Sequence, residues 1–195
     1  MDPQAARTYI LAKLRAELPH ARTYHSLAHT LDVYASVMDI AEQEGVTGEG
    51  LTMLKMAALY HDAGFTVQDL DHEEAGCRIV REKLPEFGFN SDQIELICEM
   101  IMSTRIPHSL RSKFARILCD ADLDYLGRAD FVMIGNTLFD EMRHYGVLKT
   151  EREWNELQVR FLERHKYFTV TNKRSREDLK QQHLVKVKHW LEHNP

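Results

Sequence analysis

Apolar residues recur at spacings of three and four along almost the whole chain, and no stretch alternates with the period of two that a strand would need. That pattern restricts the fold to packed helices. The segments that carry it run over about 5–18, 26–44, 50–62, 72–84, 91–103, 110–125, 130–144, 151–164 and 175–192. Pro19, Gly45, Gly64 and Pro85 stand where helices should stop, and Ser26 and Ser91 where they should start. The joining segments at 45–49, 64–71, 85–90 and 145–150 are short, and none reads as a linker. The expectation is a single all-α domain over 1–195, a bundle of about eight helices, with a motif core over about 20–170 and a C-terminal helix over about 175–192 packed on it.

Several stripes contain residues that do not belong in one. His29 is in line with Val33, Val37 and Ile40. His61-Asp62 extend the stripe of Leu51, Leu54 and Ala58. Asp122 falls inside the stripe of Phe114, Ile117, Leu118, Ala121 and Tyr125. The neighbouring Asp120 lines up instead with Lys113, Arg116 and Asp124, a face that reads as charged and solvated. A buried imidazole or carboxylate without a partner is costly. For any one of these residues a satisfied core polar group is the ordinary explanation. For all of them on helices that pack together, one divalent cation accounts for the set. Asp62 also sits at a helix C-terminus, where a carboxylate opposes the macrodipole and a cation removes the conflict. Imidazoles with carboxylates suit Zn, Fe, Mn, Ni or Co, with Mg admissible where oxygen and water dominate. No cysteine falls in the set, which argues against a structural zinc.

A His, then an adjacent His-Asp, then a distant Asp is the motif order of the HD superfamily of metal-dependent phosphohydrolases. Tyr24-His25-Ser26-Leu27-Ala28-His29 resembles the Tyr-His-x-x-x-His element of many members. Ala57-Ala58-Leu59-Tyr60-His61-Asp62-Ala63-Gly64 is similar to the HD signature, and Asp120-Ala121-Asp122-Leu123 to the closing motif. The resemblance implies that His29, His61, Asp62 and Asp122 hold the metal, and that Asp62 could bridge to a second one. It implies that His25 protonates the leaving oxygen. His72, in a string that reads as the capping box Asp71-His72-Glu73-Glu74, resembles a further ligand of two-metal relatives. Those relatives carry one more His, where this chain has Ser103-Thr104-Arg105 and then His108. Either His108 takes the place of Thr104, or the second metal is absent. Arg105, Lys113 and Arg128 lie near motif elements and are candidates to meet a phosphate, Arg105 foremost.

The resemblance further implies hydrolysis of a phosphomonoester or phosphodiester in a small, nucleotide-like or similar molecule, by a metal-activated water. A non-catalytic, metal-stabilised ligand-sensing module is the alternative, and oxygen chemistry at a two-iron site is a remoter one. A net charge of −5, mixed along the chain, argues against nucleic acid as a partner. No 18-residue apolar run marks a membrane span, and the first residues carry no apolar targeting segment. Cys77, Cys98 and Cys119 show no metal-binding spacing and read as reduced core thiols of a cytoplasmic protein. His144, His165, His183, His189 and His193 have no motif context. The oligomeric state is open.

Overall fold

The computed structural model describes residues 1–108 and 112–194, and the start of the helix expected at Leu110 lies outside them. Every regular element among the described residues is helical: ten α-helices and three short 3-10 segments, against the eight or so expected. The chain divides into two compact units, residues 1–20 with 25–122, and residues 21–24 with 123–195.

The first unit holds α1 (Pro3–Glu17), α2 (Leu27–Gln43), α3 (Gly48–Tyr60), α4 (His72–Lys83), α5 (Ser91–Ser103) and α6 (Lys113–Asp122). Local chemistry sets its boundaries. The Asp2 side chain accepts from the Ala5 amide at 3.0 Å, and Pro3 takes the first helical position, where its missing N–H costs nothing. Ser26 accepts from the His29 amide, and Gly45 follows α2 at φ +68°, a value glycine adopts freely. The cap of α5 is Asn90, not Ser91: Asn90 and Gln93 exchange a full capping box, and Ser91 is the first helical residue. The core lies among α1 to α6, with Ile10, Leu14, Val33, Val37, Leu54, Val80, Ile97, Ile101, Ile117 and Leu118 buried together. Truncating one such side chain to alanine costs about 2–5 kcal/mol.

One glycine lets the turn that follows α3 meet α4. A Cβ on Gly64 would stand 1.8 Å from the His72 carbonyl oxygen, so only glycine lets the 3-10 turn Ala63–Thr66 lie against the start of α4. That contact brings His61-Asp62 and His72 to the same place.

The second unit holds a 3-10 turn (Asp124–Gly127), α7 (Phe131–His144), α8 (Glu151–Arg164), α9 (Val170–Ser175) and α10 (Glu177–His193). Thr150 and Glu153 form the capping box of α8. Its core joins Tyr24, Leu126, Phe131, Leu162, Leu184 and Val187. No helix among the described residues is long and apolar enough to cross a membrane.

Candidate metal centre

Two helix ends and one helix start supply the central groups. His29 sits in the first turn of α2, three residues after its cap. α3 ends at Tyr60, so His61 and Asp62 lie just past the helix, not within its last turn. Asp122 is the last residue of α6. Both carboxylates thus sit at negative helix ends, which favours a cation twice over.

Each imidazole Nε2 lies within 3.5 Å of the other and of both carboxylates. His29 Nε2 is 3.0 Å from Asp122 Oδ1 and 3.5 Å from Asp62 Oδ2. His61 Nε2 is 3.2 Å from Asp62 Oδ2 and 3.5 Å from Asp122 Oδ1. The two nitrogens are 3.4 Å apart. His29, His61 and Asp62 are buried, and the Asp122 side chain keeps 18 % of its surface.

The proton arrangement tests whether a cation fits. His61 Nδ1 is 2.8 Å from the Ala58 carbonyl oxygen. A carbonyl only accepts, so Nδ1 carries a proton. In a neutral ring, Nε2 then aims a lone pair at two carboxylates. Asp62 Oδ2 is itself buried and accepts no hydrogen bond of acceptable geometry. Converging lone pairs with a buried, unanswered oxygen are what a metal ion resolves, and the His61–Ala58 bond is the kind that fixes a ligating imidazole. Without a cation, protonation must stand in. Burial alone would lower the His61 pKa, but the Asp62 charge and the contacts to Asp122 overcome it and hold it well above its ordinary value. Burial would raise both carboxylates. The His61 and His29 contacts prevail instead, depressing Asp62 below its ordinary range and Asp122 well below it.

The other expected residues surround this cluster unevenly. His25 is half-buried with its ring 4.6 Å from Phe65 and 6.2 Å from His29. Phe65 in turn stacks on His72 at 3.9 Å. His72 Nε2 is 3.6 Å from Asp62 Oδ1, the oxygen not turned toward His29 and His61, and 3.7 Å from Glu73. Burial lowers the His72 pKa despite Asp62. Thr104 is buried and donates its hydroxyl to the Ile101 carbonyl at 2.8 Å. His108 is half-buried and feels the Asp122 charge, though burial dominates and lowers its pKa. Arg105 spreads over Asp71 at 3.1 Å, Glu73 at 3.3 Å and Glu74 at 3.2 Å. Lys113 reaches the Glu44 carbonyl. Arg128 is held by Asp130 at 2.7 Å, within the second unit.

Three sequence expectations fail here. Asp120 is fully buried, not solvated, although Lys113 and Arg116 of the same face are exposed. Most of the last two turns of α6 is covered, from Ile117 to Ala121, so a single apolar stripe is the wrong picture of it. Asp124 is off that helix altogether, buried in the second unit. Asp71 makes no capping box: it stands at φ +53°, and its carboxylate pairs with Arg105. His183, which has no motif context, lies 2.9 Å from the Arg128 carbonyl oxygen and stacks on Phe131.

Sequence reasoning also missed Glu73 and Phe65. Glu73 is only 7 % exposed beside His72. Its signal was readable: it is in line with Cys77, Val80 and Leu84, all buried. Phe65 left no signal beyond being an aromatic next to Gly64.

A model of the HD domain matches residues 26–124. The chain belongs to the HD-domain family. The matched segment contains the HD pair His61-Asp62 with His29, His72 and Asp122, and begins one residue after His25. Among solved structures, the crystal structure of a predicted HD superfamily hydrolase from an uncultured Thermotogales bacterium is similar. It shares 24 % identity at a TM-score of 0.62, over 95 % of this chain and 91 % of that one. That likeness establishes the common fold. No curated protein matches the chain.

Proposed function

We propose that this HD-domain protein is a metal-dependent phosphohydrolase that cleaves a phosphomonoester or phosphodiester bond in a small phosphorylated molecule. The observation that carries the reading is the convergence of His29, His61, Asp62 and Asp122, with a buried Asp62 oxygen that no hydrogen bond answers. The solved relative's description as a predicted hydrolase agrees with it.

In this reading His29, His61, Asp62 and Asp122 hold one divalent ion, of the group Mn, Mg, Fe, Ni, Co and Zn. When bound, such an ion lowers the pKa of water and polarises a phosphoryl oxygen. The chain's own residues do the rest. The Ala58 carbonyl keeps His61 in the tautomer that presents Nε2. His25, half-buried against Phe65 with its ring 6.2 Å from that of His29, is the residue that would donate a proton to the leaving oxygen. Phe65, between His25 and His72, holds both rings in place and excludes water. Were a second ion bound, His72, 3.6 Å from Asp62 Oδ1, would be the residue to hold it with Asp62, and His108 rather than Thr104, whose hydroxyl is given to the Ile101 carbonyl, would be the candidate to add a further ligand. Arg105 already answers three carboxylates, so its role is to hold the loop at Asp71 and the start of α4. The partner in this reading is a small phosphorylated molecule rather than nucleic acid, which the net charge of −5 disfavours.

The test is phosphate or nitrophenol release from aryl phosphomonoesters and diesters with added Mn, for wild type and Asp62→Ala. Turnover in the wild type that is lost in the variant supports the reading. Tight metal and phosphate binding with no turnover of any ester replaces it with the ligand-sensing module.

A further inference from the structure

The last turns of α10 carry a second group of ligand atoms, unrelated to the buried cluster. His189, Glu192 and His193 are exposed, and one ligand atom from each lies within 4.8 Å of the others. Their spacing of three and four residues places them on one helix face. The two imidazole rings are 4.1 Å apart. His193 Nδ1 is 2.8 Å from the His189 carbonyl oxygen, so Nδ1 carries the proton and Nε2 presents a lone pair.

The turn is also held before any ion arrives. Arg152 donates Nη1 to the carbonyl oxygens of Asn194 at 2.6 Å and Leu191 at 3.4 Å. Asn194 donates Nδ2 to the Trp190 carbonyl at 2.8 Å. These bonds answer carbonyls that a helix end leaves open and keep the face in register. Glu192 stands at the negative end of the helix dipole, an unfavourable place for a carboxylate unless a cation joins it.

We propose that His189, Glu192 and His193 form a surface site for one transition-metal ion of the imidazole-favouring class, Zn, Cu(II), Ni or Co. Two imidazoles and one carboxylate suit these ions. A single oxygen ligand does not serve Mg or Ca, which take their ligands from oxygen. One helix face fills only part of the coordination sphere, and water takes the remaining positions. The site stands apart from the proposed catalytic reading and stays if that reading fails.

The experiment is a calorimetric titration of the chelator-stripped protein with Ni(II). The variants are Asp62→Ala, His189→Ala/His193→Ala, and the three changes combined. The proposal expects Asp62→Ala to keep one equivalent of Ni(II), and the triple variant to bind it more than about tenfold more weakly, since loss of even a supporting group costs that much. The exposed side chains are not needed for folding, so the circular dichroism of the His189→Ala/His193→Ala protein should match the wild type. His144→Ala, an exposed histidine elsewhere, should change nothing. Equal Ni(II) affinity and stoichiometry in Asp62→Ala and the triple variant would overturn the site.

Discussion

Both units bury charged groups, and they treat them in opposite ways. In the second unit Asp124 is 2 % exposed and accepts from Asn172 Nδ2 at 3.0 Å and from Arg176 Nε and Nη2 at 2.8 and 3.2 Å. Lys180 is equally buried and donates to the His165 carbonyl at 2.8 Å and to Glu177 at 3.0 Å. Every such contact sets a donor against an acceptor. In the first unit two carboxylates and two imidazole nitrogens converge, and Asp62 Oδ2 accepts no hydrogen bond. The first arrangement is complete as it stands and contributes to stability. The second leaves converging acceptors that a cation, or a proton in its place, would answer. Burial of charge therefore does not by itself mark a functional site; burial of mismatched acceptors does.

Substitutions should separate the two. The largest effect is expected for Asp62→Ala, which forfeits the metal's activation of water: ester turnover should fall at least about a thousandfold, measured as product release at saturating Mn. Metal-free stability is the mirror image. Asp124→Ala should cost about 3 kcal/mol in urea unfolding, because it removes the buried acceptor shared by Asn172 and Arg176, whereas Asp62→Asn in chelated protein should cost less, since it forfeits only the contact with the protonated His61 that stands in for a cation. Equal losses at both positions would erase the distinction. Next, His25→Ala should lower kcat about a hundredfold with metal content unchanged, as befits a proton donor.

The pH dependence has its origin in the same cluster. His61 is held above its ordinary value in the folded, metal-free chain. Its contribution is fully present below about pH 6.5 and is lost as pH rises through the folded-state value. Asp62 and Asp122 are depressed, so theirs is present above about pH 4 and lost as pH falls. Chelated protein should loosen above pH 6.5, while Mn should reverse that slope, because it takes the place of the His61 proton. Urea midpoints from pH 5 to 8.5, with and without Mn, check the crossing. The smallest effect is expected for Arg105→Gln, which should leave metal content within about twofold, since the Arg105 side chain is partly solvated and touches none of His29, His61, Asp62 and Asp122.

Much of the fold, and the grouping of His29, His61, Asp62 and Asp122 on inner faces, was legible in the sequence because helical phase is a local property. It placed His29 on the inner face of α2 beside Val33 and Val37, and it distinguished the element types throughout. It failed where burial comes from more than one side. Asp120 is covered although its own face also carries Lys113 and Arg116. It also failed at Asp71, where a long-range pair with Arg105 competes with the local cap. The closeness of His72 to Asp62 was not legible from phase at all, because it depends on the bare Cα of Gly64 against the His72 carbonyl. His189 and His193 had no motif context in the sequence, and their joint geometry required the ordered end of α10.

The central claim is the metal centre, and metal content measures it most directly. Protein purified without chelator should be counted by elemental mass spectrometry in a His189→Ala/His193→Ala background, with and without Asp62→Ala. The account predicts at least one divalent transition-metal ion per chain with Asp62 present and close to none without it. No metal in either protein, and no uptake of added Mn, Mg, Fe or Zn, would contradict it.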